Sequence, residues 1–165
     1  MGFDLYGNAN NPKGEYFRNN VWWWRRLADY VCEYTGVIEE KDREFWQTND
    51  GHKVSKEEAE QIANQLECLI ETGHAHKYEK KVKKEIEEAK INNSKVEKLF
   101  EEIKFQVEKQ TGKSDLAPRE YPEHLYKKWT ETYDLLDGRG NYPFNIENVK
   151  EFIQFCRNSE GFRIS

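Results

Sequence analysis

The sequence has few cysteines, and their spacing is not that of structural bridges or metal ligands. Cys32, Cys68 and Cys156 are odd in number and far apart, and no CxxC pair occurs. The spacing therefore supports neither a disulfide framework nor a zinc ribbon. Because each cysteine has apolar neighbours in the sequence, we predict three reduced thiols in the core of a cytoplasmic protein.

The sequence also lacks a long apolar run and an excess of positive charge. No stretch approaches the roughly 20 apolar residues of a membrane span, and the first residues lack the basic and apolar regions of a signal peptide. The formal net charge is -5. This balance excludes the electrostatic footprint of a protein that wraps long nucleic acid, although it permits a local basic site for one small anion. We expect neither a membrane nor a long nucleic acid among the partners.

Aromatic residues, in contrast, are abundant. They make up 14% of the 165 residues, whereas hydrophobic residues as a whole make up only 36% and charged residues 35%. An aromatic share this high argues against disorder, and the length suffices for one domain with a buried core. We therefore predict a single domain over residues 1–165 in which rings supply much of the core volume.

Alternating apolar and polar residues predict short strands near both ends of the chain. Residues 3–6 and 162–165 alternate in this way, and shorter extended pieces are predicted at 16–18 and 52–54. The apolar residues of the two terminal segments have the same parity within their own segments. A small antiparallel sheet that joins the two termini would bury both sets.

Apolar residues at helical spacing, preceded by capping residues, predict helices between these strands. Asn20 is expected to cap a helix over Val21–Tyr34. Ser55 and Glu58 form a capping box at the start of the next helix. Asn145 is expected to cap the last helix. The predicted fold class is therefore α+β and mainly α.

The middle of the chain is a long, highly charged segment. Residues 76–110 contain neither proline nor glycine, and apolar residues recur in them at alternating spacings of four and three. This heptad seam, with Asn93 at its middle, predicts one long helix of a hairpin or of a dimeric coiled coil. The alternative is a break at Asn92 and a second helix; we favour one helix. With another helix over about 122–136, the segment 76–136 is predicted to form a helical-hairpin arm inserted within the domain.

The most unusual stretch of the sequence is residues 16–26, YFRNNVWWWRR. Tryptophan is seldom exposed without a reason, and clusters of tryptophan, arginine and asparagine often build recognition surfaces. On the predicted helix we expect Trp23 in the core and Trp24 at the border of the core. Trp22 and Arg25 are expected to point outward.

The outward residues of this stretch are the candidate binding site. The arginines would hold a phosphate or carboxylate of the ligand, an exposed tryptophan would stack on a flat ring of the ligand, and an asparagine would form hydrogen bonds with the polar edge of that ring. The alternative is that Trp23 and Trp24 are core, Asn20 is a helix cap, and the arginines are partners of Asp4 or Asp29. We expect no cofactor, no metal and no catalytic residue. The predicted ligand-binding residues are Tyr6, Tyr16, Arg18, Asn19, Trp22 and Arg25.

A second candidate site is catalytic. Asn49, Asp50 and His52 are neighbours in the sequence, and a histidine with a carboxylate two residues away can act as a base. Asn-Asp-Gly is also an ordinary turn, and no nucleophile motif, phosphate loop or HExxH motif accompanies it. His74 and His76 have no nearby cysteine, so we interpret them as a solvated helix start rather than a metal site.

Five segments carry a distinctive pattern: GFDLYG at 2–7, YFRNNVWWWR at 16–25, NDG at 49–51, YPFNIENVKEF at 142–152 and GFRI at 161–164. Together they resemble a family of small, functionally uncharacterised proteins that bacteriophages and prophages encode. Members of that family often continue with WRPLW where this chain has RLA, and several carry paired cysteines in the central region. Charged helices replace those cysteines here, so no metal-supported role transfers. The resemblance implies a phage origin and the cytoplasm of a bacterial host, and it names no activity.

Three hypotheses follow from the residues and the resemblance. The first is a non-enzymatic phage accessory protein, acting in counter-defence, that binds and sequesters a small anionic or nucleotide-like ligand. The second is an inhibitor or adaptor that acts on a host protein through the arm over 76–136, whose seam also permits a homodimer. The third is a small hydrolase or nuclease that uses His52 and Asp50.

Overall fold

The computed structural model describes residues 2–165. The chain forms two compact units: Met1–Lys83 together with Tyr142–Ser165, and Lys84–Asn141. We call the first the sheet unit and the second the hairpin unit. The arm predicted over 76–136 overlaps the hairpin unit along most of its length.

A four-stranded antiparallel sheet belongs to the sheet unit. Its strands are β1 (Gly2–Gly7), β2 (Tyr16–Asn20), β3 (Lys53–Val54) and β4 (Phe162–Ile164). The order across the sheet is β2-β1-β4-β3, and every neighbouring pair is antiparallel. The first and last strands of the chain are therefore direct neighbours. This confirms the predicted sheet that joins the termini.

The inner face of the sheet forms part of the core. Phe3, Leu5, Phe162 and Ile164 are all buried, as expected from their parity, because successive side chains of a strand point to opposite faces. The ring of Phe162 packs against that of Phe155 at a centroid distance of 5.2 Å. The alternation seen in the sequence thus separates an apolar inner face from a polar outer face.

Helices make up most of the remaining chain, which confirms the α+β, mainly α, fold class. Short 3-10 helices lie at Glu40–Gln47, Pro118–Glu120 and Gly138–Asn141. The α-helices are α1 (Val21–Tyr34), α2 (Lys56–Glu71), α3 (His74–Thr111), α4 (Glu123–Tyr133) and α5 (Ile146–Asn158).

The predicted capping residues act as expected. The Asn20 side chain accepts a hydrogen bond from the amide of Trp23, which satisfies a free donor of the first turn of α1. Ser55 and Glu58 form the reciprocal capping box of α2. The Asn145 side chain accepts from two amides in the first turn of α5. Each cap needs partners within only three residues, so local sequence suffices to predict it.

Helix α3 is continuous, which confirms one long helix over two. It begins at His74, two residues earlier than predicted, directly after Gly73 has turned the chain at a φ of +81°. Asn92 and Asn93 do not break it, because their side chains bond to a later segment instead of to their own backbone. The Asn92 amide donates to the carbonyl of Leu135 at 3.0 Å.

Contacts between α3 and the segment that returns along it, which includes α4, hold the hairpin unit together. Asn93 donates to the carbonyl of Asp137 at 3.0 Å and accepts from the Asp137 amide at 2.8 Å, so one side chain holds both backbone groups of a residue on the returning segment. At the other end of the hairpin, Ile103 and Val107 bury their side chains against Leu125. Part of the heptad seam is therefore filled within the chain.

The prediction for Trp23 and Trp24 was wrong, because the two exchange places. Trp24 is fully buried and Trp23 is only half-buried. The Trp24 ring lies between the rings of Phe3 and Trp46, at centroid distances of 5.4 and 5.9 Å, and its Nε1 donates to the Trp46 carbonyl at 2.6 Å. Trp46 comes from the 3-10 helix Glu40–Gln47, whose charged sequence gives little sign of a core segment. These aromatic partners determine which tryptophan faces the core.

The prediction of three buried thiols was wrong for Cys68. Cys32 and Cys156 are buried, whereas Cys68 is exposed, and all three are free. Cys68 follows the buried Leu66 by two residues, and a step of two residues turns about 200° around a helix, to the opposite side. Burial, reinforced by the Asp29 carboxylate, raises the pKa of Cys32 to about 12, and burial also raises the pKa of Cys156. Both buried thiols are therefore neutral.

Candidate ligand-binding face

The outer face of the sheet carries one row of large polar and aromatic side chains that crosses all four strands. In the register of the sheet, Tyr16 lies opposite Tyr6, Tyr6 lies opposite Arg163, and Arg163 lies opposite Lys53. Directly opposite residues in antiparallel strands project from the same face. We call Tyr16, Tyr6, Arg163 and Lys53 the outer row.

The aromatic end of the outer row is exposed. Tyr6 and Tyr16 are 45% and 44% exposed, and their ring centroids lie 5.4 Å apart with the ring planes tilted by 48°. A cross-strand aromatic pair stabilises the sheet, but about half of each ring remains open to solvent. The two rings therefore offer a surface on which a flat ligand can stack.

The cationic end of the outer row follows directly. The Arg163 guanidinium lies 5.7 Å from the centroid of the Tyr6 ring, within the range of a cation–π contact. A cavity of about 310 Å³ opens here, lined by Lys53 and Arg163 together with Tyr6 and Asn8. In the part of the chain that the structure describes, no carboxylate lies within ion-pairing distance of Lys53 or Arg163. Two unneutralised cations beside a cavity are suited to an anion.

A second pair lies on the same face, on the far side of the tyrosines from the cavity. Asp4 is opposite Arg18 in the register, and its Oδ1 lies 3.5 Å from the Arg18 Nε. The Tyr16 hydroxyl donates a short hydrogen bond to the same oxygen. This hydrogen bond is the main reason that the pKa of Tyr16 is raised. Arg18 is therefore partly neutralised, unlike Arg163.

The structure brings three of the six predicted ligand-binding residues together and places the other three elsewhere. Tyr6, Tyr16 and Arg18 share the outer face. Asn19 has the opposite parity, and it exchanges two side-chain hydrogen bonds with Asn148 of α5, at 3.0 and 2.8 Å.

Trp22 and Arg25 lie on helix α1 and not on the sheet, because β2 ends at Asn20. The Trp22 ring packs against Tyr142 at a centroid distance of 5.5 Å, and Trp22 is 46% exposed. The Arg25 guanidinium donates to the side-chain oxygen of Gln47 at 3.2 Å. Among residues 2–165, no hydrogen bond, ion pair or ring contact joins Trp22 or Arg25 to the outer row.

Sequence reasoning missed Arg163 and Lys53. Both lie in segments that were predicted as strands, and each is the polar neighbour of a buried residue, so their outward direction could have been predicted. Their position in one row with Tyr6 could not, because it depends on the register of β4 against β1 and on the pairing of β3 with β4, which the sequence pattern does not contain.

In the described part of the chain, no hydrogen bond or ion pair joins His52 to Asp50 or to Asn49. The Asn49 side chain donates to the carbonyl of Gly2 at 3.2 Å, and the His52 ring stacks on Phe45 at a centroid distance of 5.4 Å and an interplanar angle of 7°. His74 shares a hydrogen bond of 2.8 Å with the Tyr30 hydroxyl in an aromatic cluster. Among residues 2–165, no group of three or more His, Cys, Asp and Glu side chains could hold a metal ion.

A larger cavity of about 470 Å³ also lies in the sheet unit, beside α1. Its charged lining residues are Arg26, Arg43, Lys81, Asp29, Glu33 and Glu44. Cations and carboxylates are thus equally represented there. Burial raises the pKa of Asp29, whose carboxylate accepts from Gln47 at 2.7 Å. The balanced charge gives this cavity less preference for an anion than the outer row has.

No family model, no curated protein and no solved structure matches this chain. Within the described residues 2–165, none of the helices combines the length and the apolar character that crossing a membrane requires.

Proposed function

We propose that this protein is a non-enzymatic binder that sequesters a small nucleotide-like anion on the outer face of its sheet. The observation that carries the proposal is the outer row, in which two half-exposed tyrosine rings are followed by two cations that have no carboxylate partner in the described residues. Rings that stack and cations that bind phosphate are two of the features by which proteins hold a nucleotide.

The dimensions of the row fit such a ligand. Neighbouring strands lie about 4.8 Å apart, so a row across four strands spans about 14 Å. A base stacked on Tyr6 and Tyr16 would leave its phosphates within reach of Arg163 and Lys53 at the cavity.

The resemblance to phage proteins supports the choice of the outer face as the binding site. The segment GFDLYG contributes Tyr6, YFRNN contributes Tyr16, and GFRI contributes Arg163. Three of the four residues of the outer row therefore come from the segments that carry the resemblance. We propose that the protein acts in the cytoplasm of a bacterial host, where it sequesters a nucleotide signal of the host's defence.

Calorimetric titration with ADP, GDP and inorganic pyrophosphate tests the proposal. We expect binding to the wild type, and at least a tenfold weaker affinity for Arg163→Gln and for Lys53→Gln, because each change removes a charge-assisted contact to phosphate. Lys98→Gln is the matched control, since Lys98 is an exposed lysine of the hairpin unit, and its affinity should equal that of the wild type. The absence of binding across the whole panel would refute the proposed function.

A second candidate function is capture of a host protein through the hairpin unit. Ten large hydrophobic side chains are exposed among the described residues, and seven of them belong to this unit. They are Ile91, Leu99, Phe105, Tyr126, Tyr133, Leu135 and Leu136. Exposed apolar residues concentrated in one region are typical of protein interaction sites.

The test of this second function is a comparison of captured host proteins. The wild type and a Tyr126→Ser/Tyr133→Ser variant would be used as baits in the same lysate, because both tyrosines are about half exposed and their loss should not unfold α4. We expect a specific partner to be lost with the variant. A partner that both baits retain equally would show that these side chains are not the interface.

A further inference from the structure

Asp4 and Arg18 lie at the end of the nucleotide site that faces away from the phosphate cavity. Along β1, Asp4 and Tyr6 project from the same face about 7 Å apart. The cavity lies on the other side of Tyr6, where Gly7, Asn8 and Arg163 line it. A nucleotide with its phosphates in the cavity and its base on Tyr6 can therefore bring the far edge of the base within reach of Asp4 and Arg18.

This pair offers a defined arrangement of donors and acceptors. The Oδ1 atom of Asp4 is engaged by the Tyr16 hydroxyl and lies near Arg18, but in the described part of the chain its Oδ2 atom has no hydrogen-bond partner. The backbone of Asp4 exchanges two hydrogen bonds of 2.8 Å with Ser165, so the backbone that carries the carboxylate is held in place. Arg18 is 62% exposed at its side chain and has N–H donors to spare.

We infer that the outer face prefers guanine nucleotides, with Asp4 and Arg18 as the residues that recognise the base. The inference depends on the proposed function. The far edge of guanine presents a carbonyl oxygen followed by two N–H donors. A guanidinium beside a carboxylate complements that order, with Arg18 donating to the carbonyl and Asp4 accepting from the N–H groups.

The other bases do not match the pair. Adenine presents one N–H donor beside a ring nitrogen that accepts, so its acceptor faces the carboxylate. Uracil has a single N–H between two carbonyl groups, and cytosine places a carbonyl and a ring acceptor on the same edge. A site built to accept N–H groups rejects a ligand that lacks them, because the carboxylate then loses its water without gaining a partner.

Titration with GDP, ADP and inosine diphosphate tests the preference. Inosine diphosphate is guanosine diphosphate without the exocyclic amino group, so it removes one N–H donor and leaves the protein unchanged. We expect GDP to bind at least tenfold more tightly than ADP, and inosine diphosphate to bind with an intermediate affinity. In Asp4→Asn, the ratio of the GDP and ADP affinities should fall toward one, while the affinity for pyrophosphate stays at the wild-type value.

The outcomes separate the inference from the function on which it depends. Equal affinities of the wild type for GDP and ADP, with both weakened by Arg163→Gln, overturn the guanine preference and leave the proposed function intact. No binding of any of these ligands overturns both. If Asp4→Asn does not fold, the comparison of GDP with inosine diphosphate on the wild type decides, and equal affinities there also overturn the preference.

Discussion

Replacing Trp24 by phenylalanine tests which of the three consecutive tryptophans holds the core together. Trp24 has no exposed surface, and its ring lies between Phe3 and Trp46. Its Nε1 donates to the buried carbonyl of Trp46 at 2.6 Å. Phenylalanine keeps one ring in the stack but removes this donor and part of the indole volume.

The expected cost can be worked out from these two losses. A buried carbonyl left without its donor costs about 1–3 kcal/mol. The smaller ring leaves a void of roughly two methylene groups, which costs about 1–2 kcal/mol at about 0.8 kcal/mol for each group. The free energy of unfolding should therefore fall by about 2–5 kcal/mol. This is a large fraction of the free energy of unfolding of a typical domain, which is about 5–15 kcal/mol.

Urea unfolding followed by circular dichroism measures this difference, and Trp22→Phe is the matched control. Trp22 is 46% exposed and its contact is a ring contact with Tyr142, which phenylalanine retains. We expect its cost to be below about 1 kcal/mol, as for most surface substitutions. Equal losses of stability in Trp24→Phe and Trp22→Phe would refute the assignment of Trp24 to the core.

Two further substitutions test backbone contacts. Asn93→Ala removes both hydrogen bonds to the backbone of Asp137, so we expect urea unfolding to show that the free energy of unfolding falls by about 1–2 kcal/mol. In the exposed control Ser94→Ala, the free energy of unfolding should fall by less than about 0.5 kcal/mol. Similar losses in the two variants would contradict the role of Asn93. Gly14→Ala would place a Cβ only 1.9 Å from the backbone oxygen of Asn158, so we expect the melting temperature to fall by several degrees. A Cβ at Gly138 meets nothing within 4 Å, and an equal fall in Gly138→Ala would show that the close approach at Gly14 is not the cause.

The features that could be predicted from the sequence are those whose causes are local. Asn20, Ser55 and Asn145 cap helices by bonding to amides no more than three residues away. The inward side of β1 and β4 follows from a period of two, which a few residues reveal. Gly73 ends α2 and lets α3 begin at once, because it adopts a positive φ.

The features that could not be predicted depend on partners distant in sequence. Trp24 rather than Trp23 is buried because Trp46 packs against it, and Trp46 lies in a highly charged segment. Cys68 has apolar neighbours in the sequence, but its position on α2 places it on the side of the helix that faces away from the core. Half of the candidate site was missed for the same reason, since the register of β4 against β1 and the pairing of β3 with β4 bring Arg163 and Lys53 into one row with Tyr6.

The acidic charge of the whole chain and the basic end of the outer row act over different distances. Charges more than about 8–10 Å apart are largely screened at physiological salt, whereas a bound phosphate lies in direct contact with the cations that hold it. The formal charge of -5 therefore hardly weakens the contacts of a small anion with Lys53 and Arg163. A long polyanion, in contrast, extends beyond the row and meets the acidic remainder of the surface along its length. The combination of two cations that have no carboxylate partner among residues 2–165 with an acidic chain thus agrees with our proposal of a small nucleotide, rather than a long nucleic acid, as the ligand.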